Sequence, residues 1–181
     1  MNMTGRLIVA HPKLNSSFFQ RGVIYIYEDT PTGSQGFMLN KPSSFPVNNI
    51  FRAKGFESNV MQNIYKGGPV HERAVSLLHT SEWYSSNTTP AGNYNITSDD
   101  LMIEKMSMGN MPIMWRMVSG ICGWAPGQLH AEINGQQPFQ PDKSWLTLHP
   151  TDSIMFEYDG EEQWQRAIEM SSTQMINQYF N

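Results

Sequence analysis

The segment Gly123–Ile133 (GWAPGQLHAEI) constrains the fold more than any other part of the chain, because it follows an apolar run with a helix start. Proline is accepted in the first helical turn, where no N–H donor is needed, and the glycines flanking Trp124 permit backbone angles that other residues resist. We predict a strand over residues 114–121 and a short helix over residues 126–134.

Short β-branched and aromatic runs bounded by turn residues predict further strands. These strands cover residues 7–10, 23–28, 35–39, 74–79, 145–148 and 154–158, and the second and third should form a hairpin. Helices are predicted over residues 47–53, from the Thr97–Asp100 cap to Gly109, and over residues 161–180; residues 81–92 should be a loop. This mixed order predicts an α+β fold, not a doubly wound parallel sheet.

The last predicted helix carries apolar residues at spacings of three and four. Trp164, Ala167, Ile168, Met175 and Tyr179 should share one face and pack against the sheet.

Composition favours one domain over residues 1–181, since 39% of the residues are hydrophobic and 12% are aromatic. The formal charge of −4 comes without a basic block, which disfavours a nucleic-acid surface.

Cys122 is the only cysteine, so no intramolecular disulfide can form and a reducing, cytoplasmic setting is expected. The apolar stretch at residues 7–10 is too short for a secretory signal, and residues 111–125 fall short of the ~20 needed to cross a bilayer. A soluble protein without membrane contact is expected.

Three segments occur in order along the chain: Gly36–Pro42 (GFMLNKP), Gly67–Val70 (GGPV) and Gly123–Ile133. Together they resemble the YqgE/AlgH family. The opening Leu7–Pro12 (LIVAHP) is similar to that family's start, and so is the arrangement of Phe18, Phe19 and Arg21 before the second strand; His79 and Trp164 also match. The resemblance implies mixed, bent sheets that form a pseudo-barrel with flanking helices. Family members are labelled transcriptional regulators, but the resemblance implies no established biochemical activity.

Catalytic and metal-binding signatures are sparse. The five histidines do not lie at His-x-x-x-His spacing, and a single cysteine cannot form a thiolate cluster, so neither a metal nor a cofactor is expected. The chain lacks a Gly-x-Ser-x-Gly elbow, and Cys122 lies in an apolar run typical of a buried thiol.

Asn40 and Lys41 end a predicted strand where Pro42 forces a turn. On a functional interpretation they form a polar rim that faces a ligand or partner. On a structural interpretation Asn40 bonds neighbouring backbone groups and Lys41 is solvated.

The other candidate binding residues allow the same two interpretations. Gly67 and Gly68 could cradle an anion or form a tight turn, and Gly127 could offer a helix N-terminus to an anion. Trp124 and Gln128 could border a cleft, or the indole could anchor the helix while the amide satisfies a backbone group.

Arg21 could pair with a carboxylate or with an anionic ligand. His79 is a candidate through the resemblance alone.

Three functions follow from these features. The first is a non-enzymatic regulator or adaptor that acts through a protein partner or a small ligand. The second is a small-molecule-binding protein or enzyme whose cleft joins Asn40, Lys41, the Gly67–Gly68 turn and the segment Trp124–Gln128. The third is direct DNA binding, for which the sequence offers no basic groove-reading element.

Overall fold

The computed structural model describes residues 1–136 and 144–180, which form ten strands and five helices. The strands are β1 Leu7–Ala10, β2 Val23–Thr30, β3 Gly33–Met38, β4 Pro42–Pro46, β5 Asn63–Lys66, β6 Val70–Thr80, β7 Thr89–Ala91, β8 Tyr94–Thr97, β9 Trp115–Trp124 and β10 Trp145–Leu148. The helices are α1 Val47–Ala53, α2 Asp100–Ser107, α3 Gln128–Asn134, α4 Asp152–Phe156 and α5 Gly160–Phe180. The α+β prediction is confirmed.

The sheet curls into a half-barrel around β9. Its strands follow the order β10-β1-β2-β3-β9-β6-β8-β7, and every neighbouring pair along this path is antiparallel. The predicted hairpin is the β2–β3 pair. A branch made of β4 and β5 joins the sheet through a parallel pair between β5 and β9. The mixed, bent sheet that the resemblance implied is therefore present.

The sheet is buried on both faces at β1 and at the first half of β2, where neighbouring residues on one strand enter different apolar clusters. In β1, Leu7 and Val9 pack in one cluster while Ile8 and Ala10 pack in another. A third cluster lies between α1, α2 and the β5–β6–β9 region of the sheet. The continuous apolar runs of β1 and of the first half of β2 follow from this two-sided burial.

Arg116 fixes the start of α5 next to the end of β3. This guanidinium is only 4% exposed and donates to the carbonyls of Leu39 and Tyr158 at 2.8 and 2.9 Å and to Oε1 of Gln163 at 2.9 Å. Its Cζ atom lies 4.2 Å from the ring centroid of Tyr65. A buried cation of this kind is stabilised by acceptors on several elements, so it ties α5, β5 and β9 together.

The structure corrects two sequence predictions, at residues 154–158 and 81–92, and shows a strand, β4, that was not predicted. Residues 154–158 do not form a strand: α4 occupies Asp152–Phe156 and begins at a cap in which Thr151 accepts from the N–H of Ile154. The polar stretch 81–92 contains the short strand β7, and the prolines at both ends of β4 concealed an edge strand.

The predicted apolar face of α5 is buried only over its first half. Ala167 is inaccessible, and Trp164 and Ile168 pack against the core, whereas Met175 is 51% and Tyr179 81% exposed. The glutamines and prolines of the segment Asn134–Lys143 suggest a surface loop, and residues 137–143 of that segment lie outside the described residues.

Candidate functional site

A cavity of about 640 Å³ lies against β4, and its walls are largely apolar. Phe45 comes from β4, Ile50 from α1, Ile64 from β5 and Val75 from β6. Cavities of roughly 300–1,000 Å³ with such walls are typical of sites for small molecules. Four separate elements therefore build this cavity.

A second cleft of about 430 Å³ adjoins the first, and its lining is polar and apolar in about equal parts. Its lining includes Arg21, Lys41 and Glu161, and it shares Phe18 and Lys66 with the first cavity. We call the two together the β4 groove. Its lining residues are Ser17, Phe18, Arg21, Asn40, Lys41, Pro42, Ser43, Phe45, Ile50, Ile64, Lys66, Gly68, Glu72, Arg73, Val75, Ser119, Gly160 and Glu161.

The β4 groove concentrates positive charge on an acidic protein. Four of the 12 lysines and arginines line it, namely Arg21, Lys41, Lys66 and Arg73. Only two of the 16 acidic residues, Glu72 and Glu161, do so. The lining therefore carries a formal charge of +2, whereas the whole chain carries −4.

The two lysines of the groove have no carboxylate partner in the described part of the chain. Arg21 pairs with Glu161 at 3.2 Å, while neither Lys41 nor Lys66 takes part in an ion pair there within 4.0 Å. Lys41 Nζ donates instead to the carbonyl oxygen of Gln20 at 2.8 Å. Partial burial, and then the neighbouring positive charge of Arg21, lower the pKa of Lys41. An anion bound here would stabilise the charged ammonium.

Asn40 holds the rim of the groove in place. Its Oδ1 accepts from the N–H of Val23 at 3.0 Å, and its Nδ2 donates to the carbonyls of Arg21 and Gly160 at 2.8 and 2.9 Å. Arg21 has a φ of 56°, which is uncommon for a residue with a side chain. With all these bonds made and only 2% exposure, Asn40 positions Arg21 and the start of α5.

Gly67 and Gly68 lie where the chain crosses β9 at very short range. A Cβ atom on Gly68 would come within 1.9 Å of the backbone of Ile121, and one on Gly67 within 2.4 Å of the carbonyl of Gly120. The N–H of Gly67 already donates to Ser119 at 2.7 Å, so it is not available to an anion. The double glycine forms a closed backbone crossing at the floor of the groove.

His79 lies in a different region, on β6, and is inaccessible to solvent. Its Nδ1 is 2.8 Å from the carbonyl oxygen of Thr80, so this nitrogen carries the proton. Nε2 then accepts from the Thr97 hydroxyl at 2.8 Å, and Thr97 accepts in turn from Thr88 at 2.6 Å. Burial lowers the pKa of His79, which favours this neutral form.

Trp124 and Gln128 belong to a closed network centred on Glu132. One oxygen of this carboxylate accepts from the indole N–H groups of Trp124 at 3.2 Å and Trp145 at 2.9 Å, and the other from the Gln128 amide at 2.8 Å. Gln128 also accepts from the N–H of Ala125 at 2.9 Å, which closes the turn at Gly127, where φ is 78°. We call these residues the Glu132 network.

The structure thus separates the candidates that the sequence pointed to. Arg21, Asn40, Lys41 and Gly68 line the β4 groove, and Gly67 adjoins Gly68 at its floor. The remaining candidates, His79, Trp124, Gly127 and Gln128, do not line it.

Sequence reasoning missed Lys66, Phe45, Arg73 and Glu132. Lys66 was the easiest of these to predict, because a lysine directly before the double glycine must lie at the same crossing.

The lining of the groove contains neither a Ser–His nor a Cys–His pair. The lining residues include the hydroxyls of Ser17, Ser43 and Ser119 but no histidine or cysteine. Cys122 is buried in the core, and burial raises the pKa of its thiol to about 12. Over residues 1–136 and 144–180, no three His, Cys, Asp or Glu side chains are grouped as metal ligands. None of the helices described is both long and apolar enough to span a bilayer.

The family model described as AlgH-like matches residues 7–176 of the chain. A UPF0301 protein of Vibrio parahaemolyticus is 28% identical over 178 residues, which cover 93% of this chain and 91% of the relative. A UPF0301 protein of Gluconobacter oxydans is 30% identical over 174 residues, which cover 93% and 90% of the two chains. The names of these relatives state no biochemical activity.

Two solved structures share the fold. The solution structure of AlgH from Pseudomonas aeruginosa matches with a TM-score of 0.76 and 23% identity, covering 94% of this chain and 89% of that one. The crystal structure of protein DIP2367 from Corynebacterium diphtheriae matches with a TM-score of 0.72 and 23% identity, covering 92% and 86%. At these identities the likeness is one of fold.

Proposed function

The chain belongs to the AlgH-like family, and from this premise we propose that it is a non-enzymatic regulator or adaptor that binds a small ligand in the β4 groove. The observation that carries the proposal is the cluster of four cations around a largely apolar cavity on an acidic protein. Two of those cations, Lys41 and Lys66, are left without a carboxylate over the described residues. A ligand would supply the missing negative charge.

Binding without chemistry is favoured because no histidine or cysteine lines the groove, so its serine hydroxyls do not form the Ser–His pair of a common nucleophilic site. The ligand would then act by changing which surface the protein offers to a partner. The single cysteine is a buried free thiol, and free thiols are typical of reducing compartments, so the proposed setting is the cytoplasm.

Direct reading of DNA is not part of this proposal. None of the five helices carries more than one lysine or arginine, and α3 and α4 carry none. A helix that reads the major groove needs several side chains for bases and phosphates.

The test is thermal unfolding of the protein in the small-molecule fraction of a bacterial extract, with macromolecules removed. We expect a saturable rise in melting temperature, because a ligand that binds only the folded state stabilises it. The double variant Lys41→Gln/Lys66→Gln should lose most of the rise, and the exposed Lys13→Gln, which makes the same change outside the groove, should keep it.

Equal shifts in all three proteins, or none in any, would overturn the proposal. Fluorescence anisotropy with duplex DNA gives a second control. Tight, sequence-selective binding at physiological salt would restore the DNA-binding hypothesis.

A further inference from the structure

We propose that the ligand of the β4 groove is an amphipathic monoanion, with a carboxylate held between Lys41 and Lys66 and an apolar chain along Phe45, Ile50 and Ile64. This inference rests on the proposed function and deepens it, because it assigns the chemical class of the ligand.

The layout of the groove sets the order of the ligand's parts. The cavity against β4 contributes apolar walls, and the adjoining cleft contributes Arg21 and Lys41. Phe18 and Lys66 line both, so they mark the junction. A molecule that fills both volumes must therefore change from apolar to charged close to Lys66.

The sign of the charge follows from the ion pairs. Glu161 is already engaged with Arg21, at 3.2 Å, whereas in the described chain no carboxylate oxygen lies within 4.0 Å of the ammonium groups of Lys41 and Lys66. A cationic ligand would add to the repulsion among the positive side chains of the groove, and a neutral ligand would leave that repulsion unchanged. A carboxylate forms charge-assisted hydrogen bonds to the ammonium groups that are roughly twice as strong as neutral ones.

The number of charges is limited by the floor of the groove. Phosphate-binding loops offer several converging backbone N–H groups. Here the N–H of Gly67 is bonded to Ser119, and the Gly68 position is packed against the backbone of Ile121. A formal lining charge of +2 also suits a single head group better than a polyphosphate or a nucleic acid.

The apolar walls are exposed enough to receive a chain. Phe45 is 48% exposed although it lies beside the cavity, and Ile50 on α1 is only partly buried. Each methylene that leaves water against such walls contributes about 0.8 kcal/mol. The hydrocarbon part should therefore supply most of the affinity, and the carboxylate should supply the selectivity.

The experiment is calorimetric titration of the intact protein with three eight-carbon probes: octanoate, 1-octanol and octylammonium. We expect octanoate to bind at least about 10-fold more tightly than 1-octanol, which corresponds to one charge-assisted hydrogen bond. Octylammonium should bind more weakly than either.

Variants separate the two halves of the site. Lys41→Gln/Lys66→Gln should remove the preference for octanoate over 1-octanol, while Lys13→Gln should retain it. Phe45→Ala should weaken octanoate and 1-octanol by the same factor, because it removes apolar wall without touching charge.

The inference is wrong if octanoate shows no advantage over 1-octanol, or if the advantage survives in the double lysine variant. If the extract still raises the melting temperature in a manner that depends on Lys41 and Lys66, the proposed function stands and only the ligand class is wrong. If both experiments fail, the groove is not a binding site.

Discussion

The β4 groove and the Glu132 network are both rich in polar groups, but they differ in whether those groups are satisfied within the protein. Glu132 accepts three side-chain hydrogen bonds, and Gln128 bonds on both sides of its amide. In the groove, Lys41 reaches only a backbone carbonyl and Lys66 has no ion-pair partner over the described residues. The more distinctive sequence motif, Gly123–Ile133, forms the Glu132 network, in which the polar groups bond one another. The two lysines of the β4 groove belong to no distinctive motif. A charged side chain without an ion-pair partner is therefore a better guide to a binding site here than a distinctive sequence motif.

The largest expected effect comes from the floor of the groove. In Gly68→Ala the new Cβ would lie 1.9 Å from the backbone of Ile121, which cannot yield without separating β9 from the β5–β6 crossing. We expect a loss of about 3 kcal/mol or more in the free energy of unfolding, measured by chemical denaturation. Gly123→Ala is the matched control, since nothing lies within 4 Å of its Cβ position. Equal stability of the two variants would show that the crossing is less tight than described.

The next effect tests whether the Glu132 network is structural. Glu132→Ala removes the acceptor of two indole N–H groups, on Trp124 at 8% exposure and Trp145 at 3% exposure. Each buried donor left without a partner costs about 1–3 kcal/mol, so a total loss of about 3 kcal/mol is expected by denaturation followed through tryptophan fluorescence. Glu57→Ala, at an exposed glutamate, should change stability by less than about 0.5 kcal/mol. A stable Glu132→Ala protein would reopen this region as a candidate binding site.

A smaller effect concerns pH and His79. Because burial lowers the pKa of His79, the unfolded chain binds more protons than the folded protein below about pH 6.5. Stability should therefore fall as the pH drops from 6.5 toward the lowered folded-state pKa, by at most about 1.4 kcal/mol per pH unit from this residue. His79→Gln should flatten the slope between pH 7.5 and 5.5 relative to the parent protein, measured by chemical denaturation at each pH. An unchanged slope in His79→Gln would mean that its ring is not buried as a neutral group.

The smallest effect on stability is expected from the lysine that matters most for binding. Lys41→Gln should change the free energy of unfolding by less than about 0.5 kcal/mol, because a partly exposed ammonium loses one bond to Gln20 and relieves repulsion from Arg21. The measurement is chemical denaturation beside the Lys13→Gln control. A loss above about 1.5 kcal/mol would make Lys41 a structural residue of the rim.

Local signals in the sequence predicted much of the fold. The cap at Asp99, which accepts from the N–H of Met102 at 2.7 Å, and the strands β1 and β2 follow from patterns within a few residues. The error at residues 154–158 has the same origin, because a short apolar run fits a strand or a buried helix equally well. Thr151, directly before Asp152, is a typical N-cap residue and would have favoured a helix over a strand here.

The β4 groove could not be predicted in the same way. Lys41 and Lys66 meet because β4 pairs with β5, and Glu161 reaches Arg21 through the bonds of Asn40 to Gly160. These contacts join residues that are 25 to 140 positions apart in the chain, so no local pattern specifies them. The sequence placed Arg21, Asn40 and Lys41 among the candidates but could not show that they share a cleft with Lys66 and Phe45.

The contrast between the two regions can be measured directly in one experiment, a ¹⁵N–¹H NMR titration of the labelled protein with octanoate. The prediction is a set of saturable shifts at the amides of Lys41, Phe45 and Lys66, all fitting one dissociation constant, with the amides of Gly127 and Gln128 unmoved. Shifts centred on Gln128 and Trp124, or no saturable shift anywhere, would contradict the assignment of the β4 groove as the binding site.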